Sequence, residues 1–391
     1  MSGSRMHWFG LACGALALGC ADYNDGPMVP VVPVGPAISG LHVVGNHLES
    51  SDGATVVLRG VNRSGTEYQC VNGGQIFDGA WGQASVAAIA SWRANAVRIP
   101  LNESCWLTDV NGGQTDYVKA IKLFIDSLHQ FHIVPILELH WPAPGTTSAI
   151  GQQPMPDADH APTFWTSVAT TFASDDGVVF ELYNEPFPDS NKDTTAAWQC
   201  WRDGCMAALS AMVPDSMGKP KWLPTSATYQ AIGMQALVDA VRAVAPNHLI
   251  LLGGIKYSNI LSRWMEYLPV DPSANLAAAW HIYNFNTDCR DTTCWNGAPA
   301  AIAAKLPIVA TEIGQSDCQG DFISMLMDWL EGQGASYLAW SWNTGGPCIP
   351  ASNGSSGRPW TMVQDYNTGT PNSVYAQTFH DRLAATVPAP P

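Results

Sequence analysis

The chain has 391 residues, 46% of them hydrophobic and 13% charged, and Lys+Arg 18 against Asp+Glu 33 leave a net charge of −15. An apolar share of this size can bury a large core and excludes disorder for most of the chain. The acidic balance excludes the basic surface that nucleic acid or an anionic membrane would need. The length exceeds an average domain but stays within the reach of one α/β barrel.

In chain order, Arg5 precedes an apolar run over residues 8–19 that ends at Cys20. A short positive segment followed by such a run has the pattern of a secretory signal and is too short to span a bilayer. Residues 16–20, Leu-Ala-Leu-Gly-Cys, also resemble a lipoprotein cleavage box. Residues 1–20 are therefore expected to be a signal peptide, with the chain exported and either secreted or lipid-anchored through Cys20. Residues 21–39, with Pro27, Pro30, Pro33 and Pro36, read as an extended tether. No other run approaches the roughly 20 apolar residues of a membrane helix.

Over residues 41–61 apolar and polar positions alternate about Asp52-Gly53, a hairpin turn signal. Short apolar runs follow at 95–99, 133–139, 178–182, 248–252, 276–280, 307–311 and 336–340, which with 57–61 makes eight candidate strands. Continuous apolar runs are how parallel strands covered on both faces read. Pro135 lies inside one of them and suggests a bulge. Amphipathic stretches at 117–131, 236–244 and 322–330 read as helices. Val118, Ile121, Ile125 and Leu128 form the apolar stripe of the first, and Thr115 or Asp116 is able to cap its start. Strands alternating with helices predict an α/β fold, a single (β/α)8 barrel over residues 40–391 with a short β-hairpin at its start.

In such a barrel the chemistry lies at the C-terminal ends of the strands. Those positions hold Arg98, His140-Trp141, Asn184-Glu185-Pro186, His281-Ile282-Tyr283, Glu312 and Trp340-Ser341-Trp342-Asn343. In this order the set resembles glycoside hydrolase family 5, the cellulase family, from about residue 40 onward. The resemblance implies a retaining double displacement with Glu185 as general acid/base and Glu312 as nucleophile. It implies that Arg98 and Tyr283 hold Glu312, that Asn184 binds the sugar 2-hydroxyl, and that His140 and His281 donate hydrogen bonds to sugar hydroxyls and to the acid/base. Trp340 would be the floor under the sugar being cleaved, and by strand period Trp342 points to the same face. Trp106, Trp141 and Trp295 read as loop residues that either stack on further sugars or pack internally.

The implied partner is a β-glycan polysaccharide or oligosaccharide, with β-1,4-glucan placed first and β-1,4-mannan or another β-glycoside as the alternative. Outside catalysis the alternative is a silent carbohydrate-binding protein, against which the presence of both carboxylates argues. Neither cofactor nor metal is implied, no nucleic acid is expected, and a monomer is expected.

Beyond Cys13 and Cys20 eight cysteines remain, an even number in an exported chain, so disulfides are expected. Cys200/Cys205 and Cys289/Cys294 can each close a small loop. Cys70 and Cys105 follow the first and second barrel strands, Cys318 and Cys348 the seventh and eighth. Neighbouring strands have neighbouring loops, so each of these pairs is expected to bond. A zinc site would want a paired C-x-x-C or clustered His, and the sequence has neither.

Overall fold

The computed structural model describes residues 37–72, 75–108, 114–214, 220–350 and 360–386. The expected leader, Cys20 and the tether up to residue 36 lie outside the described residues. The barrel strands are β1 (Arg59–Asn62), β2 (Ala96–Asn102), β3 (Val134–Trp141), β4 (Val179–Glu181), β5 (Ile250–Gly253), β6 (Leu276–Tyr283), β7 (Ile308–Gly314) and β8 (Ser336–Ala339). Each runs parallel to the next, and β8 pairs with β1 to close the ring. At Gly60 a Cβ would stand 1.7 Å from the Ala96 carbonyl oxygen, so the approach of β1 to β2 admits only glycine.

Successive strand residues face opposite sides, and the sequence uses that period to sort two cores. Val97, Ile99, Leu137, Phe180, Ala278 and Ile282 face outward to the helices. Ala96, Val134, Ile136, Val179, Ala277, Ala279, Val309 and Leu338 fill the barrel axis. Leu41, Leu48, Val56 and Leu58 join this inner group from the N-terminal segment. That segment is a three-stranded antiparallel sheet (His42–Val44, His47–Glu49, Thr55–Val56) rather than a single hairpin. The extra reversal sits at Gly45, whose φ of 58° suits a residue without a side chain.

Three local expectations change. Pro135 causes no bulge, and β3 keeps register with β2 through Val97↔Pro135. Val134 N donates toward β2, to Asn95 O at 2.8 Å, so by alternation Pro135 faces β4, whose pairing begins only opposite Ile136. The missing N–H therefore falls where the β4 ladder has not started. The helix expected at 117–131 runs over Gln114–Gln130, which puts Thr115 and Asp116 in its first turn and not at its cap. A long antiparallel hairpin, Cys205–Pro214 with Pro220–Ala231, projects between β4 and β5 and was not foreseen.

The four expected disulfides are present: Cys70–Cys105, Cys200–Cys205, Cys289–Cys294 and Cys318–Cys348. Among the described residues no helix is long and apolar enough to cross a membrane.

Candidate active site

The alternation that fills the lower barrel with small apolar residues continues upward with polar ones. On β2, Ala96 faces in and so does Arg98; on β3, Ile136 is followed by Glu138 and His140; on β6, Ala279 is followed by His281 and Tyr283. Arg98 is fully buried and is the hub of this layer. Its Nε donates to Glu181 Oε2 at 2.5 Å, Nη1 to Glu312 Oε1 at 2.6 Å and to Asn62 Oδ1 at 3.0 Å, and Nη2 to Asn184 Oδ1 at 2.9 Å. Glu138 Oε2 lies 3.5 Å from Nη2. A planar guanidinium with five donors can hold this many acceptors at once, and an ammonium could not.

Glu312 is held on both oxygens. Arg98 takes Oε1, and Tyr283 donates its hydroxyl to Oε2 at 2.6 Å. Burial pushes the Glu312 carboxyl up, but the charges of His281, Arg98 and His140 and the Tyr283 hydroxyl outweigh it and hold the group below the usual carboxylate range. The Tyr283 phenol is itself raised well above its ordinary value by burial and by Glu312, so it stays a donor.

Glu185 follows β4 and faces Glu312 across His281. One oxygen of each carboxylate and a ring nitrogen of His281 lie within 4.8 Å of one another. A spacing this short suits a retaining pair, at about 5–5.5 Å, rather than an inverting pair, at about 6.5–9.5 Å. The exposures differ: the Glu185 side chain is 18% accessible and Glu312 only 4%. Glu185 is thus open to the cleft while Glu312 stays sequestered.

His281 Nδ1 is 3.0 Å from Glu185 Oε1 and 3.5 Å from Glu312 Oε2. Its Nε2 is 3.2 Å from Thr311 Oγ1, whose hydroxyl donates to Glu181 Oε1 at 2.8 Å. Burial lowers the imidazole, but Glu312, Glu181 and Glu185 together pull it up to about 9. Both ring nitrogens are then donors, which fits acceptors on both sides. His140 repeats the pattern with Glu138, 3.0 Å from Nδ1; burial lowers its imidazole and the carboxylate raises it more.

Asn184 turns its carbonyl oxygen to Arg98, which leaves its NH2 as the group it can offer elsewhere. Trp340 is half-buried and lies parallel to the His140 ring, with centroids 5.6 Å apart and planes 7° apart. Together these side chains make a cleft floor that can place one sugar ring between two carboxyls.

Trp342 does not join them. It is fully buried and packs edge-on against Trp92 at 4.9 Å, because β8 ends at Ala339 and the two-residue period stops there. Trp106 and Trp295 are also core residues with 0% exposure, each on a short helix, so neither is a sugar platform. Trp141 is half-buried at the end of β3.

Sequence reading did not single out Asn62, Glu138, Glu181, Thr311 or Gln152. Gln152 donates to Glu185 Oε2 at 3.2 Å and to its backbone oxygen at 2.9 Å. Glu138 and Glu181 did carry a signal, since each is a lone acid inside an otherwise apolar run.

Residues 51–346 match the cellulase family, glycosyl hydrolase family 5. The chain is 26% identical over 313 residues to a mannan endo-1,4-beta-mannosidase from Streptomyces lividans, covering 79% of this chain and 68% of that protein. It is 24% identical over 311 residues to a mannan endo-1,4-beta-mannosidase from Salipaludibacillus agaradhaerens, covering 78% of this chain and 82% of that protein. In fold it is similar to a beta-glucanase from Saccharophagus degradans solved with cellotetraose, at a TM-score of 0.64 and 18% identity over 94% of this chain and all of that one.

Proposed function

The chain belongs to glycosyl hydrolase family 5, and from that premise we propose that it cleaves a β-1,4-linked glycan with retention, Glu312 attacking and Glu185 serving as acid and then base. The observation that carries this reading is the carboxylate pair. One oxygen of each lies within 4.8 Å of the other, one carboxylate sequestered and held ionised by Arg98 and Tyr283, the other partly open. In the first step Glu312 bonds the anomeric carbon as Glu185 gives its proton to the departing sugar oxygen. In the second, Glu185 takes a proton from water, which displaces Glu312 and restores both groups. Asn184 offers its amide to the 2-hydroxyl, a contact that strengthens as charge develops at the ring. Trp340 supports the ring from below.

For the sugar, we favour β-1,4-mannan over β-1,4-glucan, since two relatives that align over more than three quarters of the chain act on mannan by name. Sequence motifs alone had put glucan first. Reducing-sugar release from galactomannan, glucomannan, carboxymethyl cellulose and mixed-linkage glucan tests this, with Glu312→Gln as control. Faster cleavage of pure β-glucan than of mannan would return glucan to first place, and release by the control equal to wild type would end the catalytic reading.

Four disulfides favour an oxidising destination, and we read the protein as exported. Anchoring through Cys20 is tested by fractionation: Cys20→Ser should lose membrane partition and keep activity.

A further inference from the structure

A second acidic group stands apart from Glu185 and Glu312. Glu103 opens the short helix Glu103–Leu107 directly after β2. Asp157 and His160 come from the segment after β3, just ahead of the helix Ala161–Thr171. One oxygen of Glu103, one of Asp157 and a ring nitrogen of His160 lie within 4.8 Å of one another. Both acids are buried, Glu103 to 1% exposure and Asp157 to 0%.

Each acid spends one oxygen on the backbone. Ala143 N donates to Glu103 Oε2 at 2.5 Å, and His160 N donates to Asp157 Oδ1 at 2.7 Å. The remaining oxygens, Glu103 Oε1 and Asp157 Oδ2, accept from no N–H or hydroxyl among the described residues, and the two side chains lie within hydrogen-bond reach of each other. Asp159 adds a third carboxylate, 3.9 Å from His160 Nδ1, with its Oδ2 accepting from Gly145 N at 2.8 Å. Among the described residues no lysine or arginine pairs with any of the three acids; the side chain beside them is the His160 imidazole. His160 Nδ1 stands 2.8 Å from the Ala143 carbonyl oxygen, to which it can only donate. That nitrogen braces the site and leaves ligation to the carboxylates. An open cavity of about 200 Å³, lined by Glu103, Ser104, Thr108, Thr147, Ser148 and His160, leads to the cluster.

Buried carboxylates facing one another without a donor need a proton or a cation between them. The hard oxygen donors and the third acid at the margin favour the cation. We propose that Glu103 and Asp157, with Asp159 beside them, form a site for one divalent cation of the oxygen-seeking class, Ca²⁺ foremost, which clamps the segment after β3 to the end of β2. That segment carries Gln152, the side chain that touches Glu185, so the clamp would also steady the acid/base from a distance.

The test uses the chelator-treated full chain. Isothermal titration calorimetry with CaCl2 at pH 7.5 should show one Ca²⁺ per chain. Thermal unfolding should show a Tm that rises with the logarithm of Ca²⁺ concentration, by about 5 °C at a hundredfold excess over Kd. The pair Glu103→Gln with Asp157→Asn should abolish both signals, and if it fails to fold, Glu103→Gln alone should weaken binding at least tenfold. No heat with Ca²⁺, Mg²⁺ or Mn²⁺ and an unmoved Tm would overturn the proposal in favour of a shared proton. Binding left unchanged by Glu103→Gln would place the ion elsewhere and overturn it equally.

Discussion

Tyr283 reaches Glu312 Oε2 with its hydroxyl at 2.6 Å from the adjacent strand, on the carboxylate oxygen that Arg98 does not hold. Such a donor lowers the proton affinity of the carboxylate, and in the proposed mechanism it stabilises the charge that returns to Glu312 when the glycosyl bond breaks. Tyr283→Phe should therefore lower kcat by on the order of 10–100-fold. It should also move the acid limb of kcat/KM to higher pH, since one of the groups holding Glu312 ionised is gone. An acid limb that stays fixed would show that the hydroxyl does not tune Glu312.

The two glutamates can be told apart by stereochemistry. Glu185→Ala should keep its first step with an activated aryl glycoside, which hardly needs a proton, and lose polysaccharide cleavage. Added azide should restore turnover and give the β-azide. With Glu312→Ala the same anion should give the α-azide. Product analysis by NMR that finds the α-azide from Glu185→Ala would reverse the assignment.

His281 predicts a stability change on the alkaline side. Its imidazole sits at about 9 in the folded chain against an ordinary 6.5, because Glu312, Glu181 and Glu185 outweigh burial. A raised folded value means the stabilisation is fully present below pH 6.5 and is lost as pH climbs toward 9. Tm measured across pH 6–10 should fall through that window in wild type, and the fall should be shallower in His281→Asn. Parallel curves for the two would refute the linkage. Glu312 has the opposite sign: its lowered value gives stability present above 4.5 and lost as pH drops below it.

Trp340 and Trp342 are two residues apart and should respond in different experiments. Trp340 is half-buried over the cleft, so Trp340→Ala should cost activity and leave Tm close to wild type. Trp342 is fully buried against Trp92, so Trp342→Ala should destabilise by about 3–5 kcal/mol through the cavity it leaves. Denaturant melts of both variants decide the matter. Equal destabilisation would place both rings in the core.

That Trp342 falls outside the site while Arg98, His281, Tyr283 and the two glutamates come together in it has a physical basis. Arg98, His281, Tyr283 and Glu312 stand on buried strands, where the two-residue period says which way a side chain points. Glu185 lies four residues past the end of β4 and was legible from the Asn184-Glu185-Pro186 motif instead. Trp342 lies beyond the last paired residue of β8, Ala339, where that rule no longer applies. Trp106 and Trp295 look like loop residues because helices of 4–5 residues have too few turns to show a period. The hairpin from Cys205 to Ala231 was hidden by its alanines, which favour helix over strand and leave little alternation to read. The Glu103–Asp157 contact was invisible for another reason: two acids on neighbouring loops acquire a relationship only once the barrel has closed.

The disulfides and the ring closure work at different ranges along the chain. The cross-links join residues 5, 5, 30 and 35 apart, each within one stretch of sequence. The seam between β8 and β1 joins residues far more distant: Asn62 Nδ2 donates to Ala339 O across 277 positions, and Trp342 N donates to Asn62 O. Oxidation can thus fasten individual loops while the ends of the chain are still apart, and among the described residues no cross-link holds the first strand to the last. Reduction should accordingly release the cleft loops before the barrel opens, with a thiol-treated enzyme losing turnover at a lower temperature than it loses its far-ultraviolet signal. Simultaneous loss of both would mean that the ring depends on its clips.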